Sequence, residues 1–396
     1  MDQSPFYNHL AQTTPFPIGL EIDYAKGSYL YDKQGKRYLD MIAGVAVSNL
    51  GHSHSKIVQA IKNQVDRHLH VMVYGEYIQE AQNHLAQQLR TVLPEKLDNF
   101  YFVNSGAEAV EAALKLVKRS TGRNQIISCK KAYHGSTHGA LSVSGNELKK
   151  QAFRPLLPGI QFITHNQLKD LNKITKDTAG VIVEVIQGDA GVRIASSEWL
   201  EALRLKCNET GTLLIFDEIQ TGMGRTGRLF AFEHYGVIPD LLVLGKALGG
   251  GMPMGALIAR KELMQLFTHA PMLGHITTFG GHPVPCAAGA AFLEVIRDEI
   301  DWKEVEAKGA YLEKGLQHTV VKEIRRKGLM FAVDLESFEK VKSVVDYCLQ
   351  HGVLTFWFLS TDYAFRLSPP LNISYPELDE AMDTIQRGFD LAENKI

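Results

Sequence analysis

Two ionisable residues at the ends of apolar runs, and one helix start, carry the chemistry of this chain. Lys246 closes the apolar run in "DLLVLGKALGGGMPMGA" (240–256), where a lysine is rarely placed without a reason. Burial there depresses its pKa and frees the amine as a nucleophile toward a carbonyl; a lysine snorkelling from a strand end gives the same pattern. Asp217 closes a second run in "LLIFDEIQTG" (213–222). Side chains two apart share a strand face, so Asp217 and Ile219 point one way and Glu218 the other. A carboxylate ending a buried strand needs a cation or hydrogen bonds. A protonated pyridine nitrogen would serve, and so would a structural ion pair.

The helix start lies in "VNSGAEAVEAALKLVKR" (103–119). Ser105 followed three positions on by Glu108 reads as a capping box, and Val110, Ala113, Leu114 and Val117 form an apolar stripe. Free N–H groups and the dipole at such a turn favour a phosphate, although an ordinary cap looks the same. Gly249, Gly250 and Gly251 let backbone pass close to a ligand. They form no P-loop, because no Ser or Thr follows Lys246. Gly222, Gly224 and Gly227 match a dinucleotide fingerprint, but Pro239 leaves too little room for its helix, so that reading is rejected.

These residues need a scaffold, and the chain is long enough for one. It has 396 residues, 45% apolar and 22% charged, with a net charge of 42 − 44 = −2. That composition is globular, and the charge offers no basic face for nucleic acid. Apolar stretches fall short of the roughly 18 residues of a membrane span, and Met1 to Pro17 has no signal core. The four cysteines, Cys129, Cys207, Cys286 and Cys348, are scattered and read as free thiols in a reducing cytoplasm.

The first fifty residues suggest short strands, with a hairpin closed at Lys33–Gly35. A helical pattern runs from Ile57 to about Val92. Strands are then expected at 99–104, 125–129, 179–187, 212–220 and 240–248, alternating with helices from Glu108 and near Glu198–Thr210. Apolar strands alternating with helices indicate an α/β fold with a parallel sheet covered on both faces, and ligands collect at its carboxyl edge. After about Cys286, long helices precede short strands at "GLMFAVDL", "GVLTFW" and "AFRLSP" and a last helix from about Glu377. We therefore expect an N-terminal segment (1–50) that joins the small domain, a large domain (51–285) and a C-terminal small α+β domain (286–396).

The order of phosphate-type turn, strand-end Asp and strand-end Lys resembles the class III pyridoxal-phosphate aminotransferases. The likeness runs from "GHSHSKIVQAI" (51–61) to "FRLSPPL" (365–371), is most specific in "FDEIQTGMGRTG" through "LGKALGGGMPMGA", and leans toward the acetylornithine/ornithine branch. It implies fold type I, with a mostly parallel seven-stranded sheet. It implies pyridoxal 5'-phosphate held as a Schiff base by Lys246, which also moves the proton. Asp217 would pair with the pyridinium nitrogen, Gln220 with the phenolic oxygen, and Tyr133 and Ile219 would stack on the ring faces. Ser105, Gly106 and Ala107 would bind the phosphate, joined by Thr278 of the partner subunit, which makes the enzyme a homodimer. His134 and Glu184 would complete the cofactor site. Arg366 would clamp the substrate carboxylate and Asp189 would gate it.

The likeness departs at two substrate positions. The nearest enzymes carry an Arg after "YHG"; here it is Ser136, which supplies no cationic fork. A lost Arg–carboxylate contact costs on the order of 2–5 kcal/mol when the charge is otherwise unpaired. Where they carry a gating Glu, Asp189 is shorter by one methylene. The implied activity is transfer of an amino group, from a terminal amine, to a 2-oxo acid in two half-reactions. The branch favours an acetylornithine- or ornithine-type donor, and Ser136 weighs against it. An amine–pyruvate type ω-transaminase and a pyridoxal-phosphate aminomutase remain open. Intact Lys246 and Asp217 speak against a non-catalytic binding protein.

Overall fold

In the computed structural model, which describes residues 4–393, the middle of the chain builds one seven-stranded sheet. In spatial order its strands are Asn99–Val103, Gly255–Ala259, Leu241–Leu244, Leu213–Asp217, Thr178–Val183, Gln125–Cys129 and Ile160–Ile163. All run parallel except Gly255–Ala259, which is antiparallel to both its neighbours.

Alternation sorts the side chains onto two buried faces. Ile182, Ile215, Val243 and Leu257 pack with Val110, Ala113, Leu114 and Val117 of the helix Gly106–Thr121. Val181, Leu214, Phe216, Leu242 and Ile258 enter the larger core on the other side, with Leu248 and Phe292. A sheet buried on both faces accepts continuous apolar strands, which is why these runs do not alternate with polar residues. The helices start on caps: Ser105 Oγ accepts the Glu108 N–H, Ser196 Oγ that of Trp199 and Ser337 Oγ that of Lys340.

An early segment and part of the last third of the chain meet in a smaller sheet. The hairpin of Tyr29–Asp32 and Arg37–Asp40 turns at 33–36, and Arg37–Asp40 pairs in parallel with Val353–Leu354. Glu323–Lys327, Met330–Asp334, Ala364–Leu367 and Phe356–Trp357 form a further antiparallel sheet. The helices Phe338–Gln350 and Tyr375–Glu393 pack together beside it. No helix among the described residues is long and apolar enough to cross a membrane.

Several sequence expectations are corrected. The helical run from Ile57 is two helices, Ser55–Arg67 and Glu80–Val92, parted by residues 68–79 around Gly75. The strand expected over 179–187 breaks after Val183, where Glu184 turns its carboxylate to backbone N–H groups. Lys246 lies past the end of its strand, which stops at Leu244. Strands Ile160–Ile163, Gly255–Ala259 and Glu323–Lys327 and the helix Phe338–Gln350 were not anticipated. The rejected glycine fingerprint serves packing. Between its glycines Arg225 is fully buried and donates to Leu329 O at 3.1 Å, Pro369 O at 2.6 Å and Asn49 Oδ1 at 2.5 Å.

Candidate active site at the carboxyl edge of the sheet

Three strand ends and one helix start converge on a cavity of about 550 Å³, well within the range of small-molecule sites. Of the residues singled out in the sequence, Gly106, Ala107, Tyr133, His134, Ser136, Glu184, Asp217, Ile219, Gln220 and Lys246 line it. Gly135, Thr137 and Thr221 complete the wall. A larger and more open cleft of about 1210 Å³ lies elsewhere. Its Arg326 is committed to Glu306 at 2.7 Å and Glu313 at 2.6 Å, its His234 is pushed down to about 4 by burial and so stays neutral, and it contains none of Lys246, Asp217, His134 and Glu184. The smaller cavity is therefore the chemical one.

Strand parity delivers the two neighbouring carboxylates to opposite sides. Asp217 follows Ile215 by two and faces the cavity. Its Oδ2 lies 2.6 Å from His134 Nδ1 and its Oδ1 accepts the Ile219 N–H at 3.0 Å. Glu218 turns away, accepting the N–H groups of Ala231 and Phe232, both at 2.7 Å. Burial pushes the Glu218 carboxyl up to about 7 in spite of these donors.

His134 is enclosed, and burial alone would strip its proton. The hydrogen bond and charge of Asp217 outweigh that, so its pKa lies above the ordinary value. Its Nε2 is buried without a partner. Glu184 sits at the same wall, its Oε1 accepting the Tyr133 N–H at 3.1 Å and its Oε2 the Gly188 N–H at 2.9 Å. Burial raises its pKa to about 7, against the lowering effect of the His134 charge.

Lys246 opens a short turn directly after the Leu241–Leu244 strand, with φ +48°. A side chain in that left-handed region costs roughly 1–2 kcal/mol, strain of a kind that gathers at functional sites. Burial lowers the pKa of its amine, and the nearby Arg366 charge adds to this while Asp217 opposes it.

The helix start is shaped by close approach. A Cβ on Gly106 would stand 2.7 Å from Ile219 Cδ1, and one on Gly135, whose φ is +129°, would stand 2.7 Å from Ala107 Cβ. Only glycine lets these three segments meet. Ser105 caps the helix from just behind the cavity wall. The capping box closes one residue early: Glu108 Oε2 accepts the Asn104 N–H at 2.7 Å, not that of Ser105, because the Asn104 amide also draws the carboxylate. The first N–H groups of the helix thus keep the inward direction that suits an anion.

Arg366 and Asp189 form a buried pair beside this cavity, not in its wall. Arg366 Nη2 lies 2.8 Å from Asp189 Oδ1, and the guanidinium carbon 4.5 Å from the Phe358 ring centre. From the residues alone Arg366 reads equally well as a surface strand residue; it is buried, and burial lowers its pKa against the pull of Asp189. Thr278 is exposed and outside the cavity. Tyr133 Oη and Ser136 Oγ are 3.4 Å apart at the open side. The described residues contain no cluster fit for a metal ion. The His134–Asp217 bond is the feature least visible in the sequence, since only a histidine beside a "YHG" turn signalled it.

Comparison with known proteins agrees over nearly the full chain. The family model described as aminotransferase class-III matches residues 11–389. The [LysW]-aminoadipate semialdehyde/glutamate semialdehyde transaminase of Sulfolobus acidocaldarius is 39% identical over 382 residues, 95% of this chain and 96% of that one. The acetylornithine aminotransferase of Methanopyrus kandleri is 40% identical over 377 residues, 94% and 95% of the two chains. Among solved structures, an ornithine aminotransferase from Toxoplasma gondii ME49 superposes with a TM-score of 0.91 at 29% identity, covering 99% of this chain and 94% of that one. An (S)-enantioselective omega-transaminase from Thermomicrobium roseum gives 0.90 at 28% identity, covering 98% and 97%.

Proposed function

We propose a substrate class and residue roles for this chain, which belongs to the class III aminotransferases and is a pyridoxal-phosphate-dependent transaminase. The donor is a terminal primary amine whose far end carries no charge that needs an arginine at position 136, and the acceptor is a 2-oxo acid. One observation carries this. Apart from Lys246 and the Asp217-bound His134, the cavity wall holds no cationic side chain, and Ser136 stands where the nearest branch has its Arg.

The site fits the cofactor. Asp217 presents a carboxylate inside the wall, His134 orients it, and the cradle at Gly106 and Ala107 is kept open because Gly106 has no side chain. When bound, the cofactor supplies an electron sink for the carbon that gains and loses a proton. Lys246 tethers it and, its amine pKa lowered by burial, takes and returns that proton. Asp217 would hold a proton on the ring nitrogen. Gln220 would meet the ring oxygen and Tyr133 and Ile219 the two ring faces, while Glu184 accepts the Tyr133 N–H. Ser105, Gly106 and Ala107 receive the phosphate, with Thr278 of a partner subunit, which makes the working unit a homodimer. Arg366 receives the substrate carboxylate and Asp189 holds it meanwhile. The division into residues 1–50, 51–285 and 286–396 is part of the same proposal. Four buried, unpaired cysteines support a cytoplasmic setting.

The relatives support a second donor class. An N-acylated diamine acid fits the acetylornithine and [LysW]-aminoadipate semialdehyde relatives at 38–40% identity. Adding donors singly, without acceptor, and following the cofactor's visible absorbance separates the two. An uncharged arylalkylamine is expected to bleach it at low concentration and N-acetylornithine or glutamate only at high concentration. The reverse order would show that another group replaces the missing Arg. Lys246→Ala is expected to lower turnover by at least about 10³-fold, within the range of a lost general acid–base.

A further inference from the structure

Asp189 holds more than Arg366. Its Oδ1 accepts both Arg366 Nη2 at 2.8 Å and the Leu359 N–H at 2.9 Å, and its Oδ2 accepts the Ser360 hydroxyl at 2.9 Å. Ser360 Oγ in turn accepts Asn146 Nδ2 at 3.0 Å. Asn146 follows the short helix His138–Val143, whose leading residues Ser136 and Thr137 line the cavity. One hydrogen-bonded line therefore runs from Asn146, just past the helix that follows the cavity wall, through Ser360 to the carboxylate beside Arg366.

A bidentate grip on a substrate carboxylate needs two N–H groups of Arg366 on one edge, so Nη2 has to leave Asp189. A buried carboxylate left without donors is costly. Asp189 is spared this, because Leu359 and Ser360 still hold it after Arg366 has gone. Without the Ser360 hydroxyl, three donors fall to two in the paired state, and two fall to one in the released state. A donor matters more to a carboxylate the fewer it has. Release of Arg366 is therefore hampered more than the resting pair.

We propose that Ser360, fixed by Asn146, is a specificity-determining positioning residue: it retains Asp189 while Arg366 turns to a substrate carboxylate. The proposal rests on the reading of Arg366 as the carboxylate clamp. In the holoenzyme, Ser360→Ala is expected to raise KM for pyruvate and 2-oxoglutarate about fivefold with kcat changed less than twofold. The half-reaction with an uncharged arylalkylamine should not move. Binding of propanoate, an unreactive carboxylate, should weaken by a similar factor in calorimetric titration. Ser360→Thr keeps the hydroxyl and should restore both values, while Asn146→Ala should shift KM the same way by less. Arg366→Ala is the control for the clamp. If it raises the KM of the acid and Ser360→Ala does not, the proposal is overturned and the clamp stands. If Arg366→Ala leaves that KM unchanged, the clamp itself fails and the proposal with it. Equal losses toward acid and uncharged amine in Ser360→Ala would reduce Ser360 to a structural role and overturn the proposal as well.

Discussion

Asp217 Oδ2 and His134 Nδ1 lie 2.6 Å apart, both enclosed by protein. The strand carries the carboxylate and the loop after Cys129 carries the imidazole. Together they form a short, charge-assisted bond that aims the second carboxylate oxygen and leaves Nε2 of the histidine without a partner.

Replacing His134 by Phe keeps a ring and removes that bond. A hydrogen bond to a charged group contributes about 1.5–3 kcal/mol, and the cofactor-free protein is expected to lose that much. The folded pKa of His134 is raised, so the contribution is complete below the ordinary histidine range, near 6.5, and is lost as pH rises through the higher folded value. Urea unfolding of wild type and variant over a pH series measures this. A stability difference that stays constant with pH would sink it.

Glu184 gives a second pH signature. Its folded pKa is raised from 4.5 to about 7 by burial, so its share of stability is present below 4.5 and is lost as pH climbs through about 7. Glu184→Gln also loses an acceptor for one of the two backbone N–H groups, a cost that does not vary with pH. Wild type should therefore fall relative to the variant between pH 4.5 and 7, whatever the offset. Parallel curves across that window would refute the assignment.

Ser136→Arg restores a guanidinium at the open side of the cavity. KM for N-acetylornithine and glutamate is expected to drop at least about tenfold, equivalent to roughly 1.4 kcal/mol. The uncharged arylalkylamine should gain nothing. Steady-state kinetics with each donor decides the matter, and an equal gain for all three would show that position 136 does not read charge.

Arg225→Lys tests the seam between the 222–227 turn and the C-terminal third. The lysine keeps the charge but cannot reach Leu329 O, Pro369 O and Asn49 Oδ1 together. Each buried acceptor left unmet costs about 1–3 kcal/mol, so a loss of about 2 kcal/mol or more is expected from the urea midpoint. An unchanged midpoint would mean that water replaces the guanidinium.

The parts of the site that could be read in the sequence were those written in local pattern. The apolar runs ending in Asp217 and Lys246, the stripe behind Ser105 and the glycine run 249–251 all depend on residues within a few positions of one another. The parts that could not be read depend on long-range closure. The strand Gly255–Ala259 was hidden because "GALIA" follows a glycine-rich turn and is short. It is held between the nearby Leu241–Leu244 and Asn99–Val103, the latter more than a hundred positions earlier. The burial of Arg366 was equally hidden, since "AFRLSP" has the texture of an edge strand; Met330–Asp334 and Phe356–Trp357 enclose it on either side. The left-handed turn at Lys246 has no signature in composition, because lysine is not a residue that favours it.

The back-to-back carboxylates set a demand on folding fidelity. Asp217 and Glu218 are adjacent and chemically alike, yet one serves the cavity and the other ties down the Ala231–Phe232 turn. Sliding this strand by a single residue against its neighbours would put one of them in the other's place and an apolar neighbour in the place vacated, with the apolar runs still buried on some face. Hydrophobicity alone scarcely distinguishes the two alignments. The polar contacts do: slid one way, Phe216 would face His134, and slid the other, Ile219 would face the Ala231 and Phe232 amides, so either slip leaves one buried polar site unmet. The pair of carboxylates set between Phe216 and Ile219 thus acts as a proofreading mark, by which the chain distinguishes its own correct alignment before any ligand arrives.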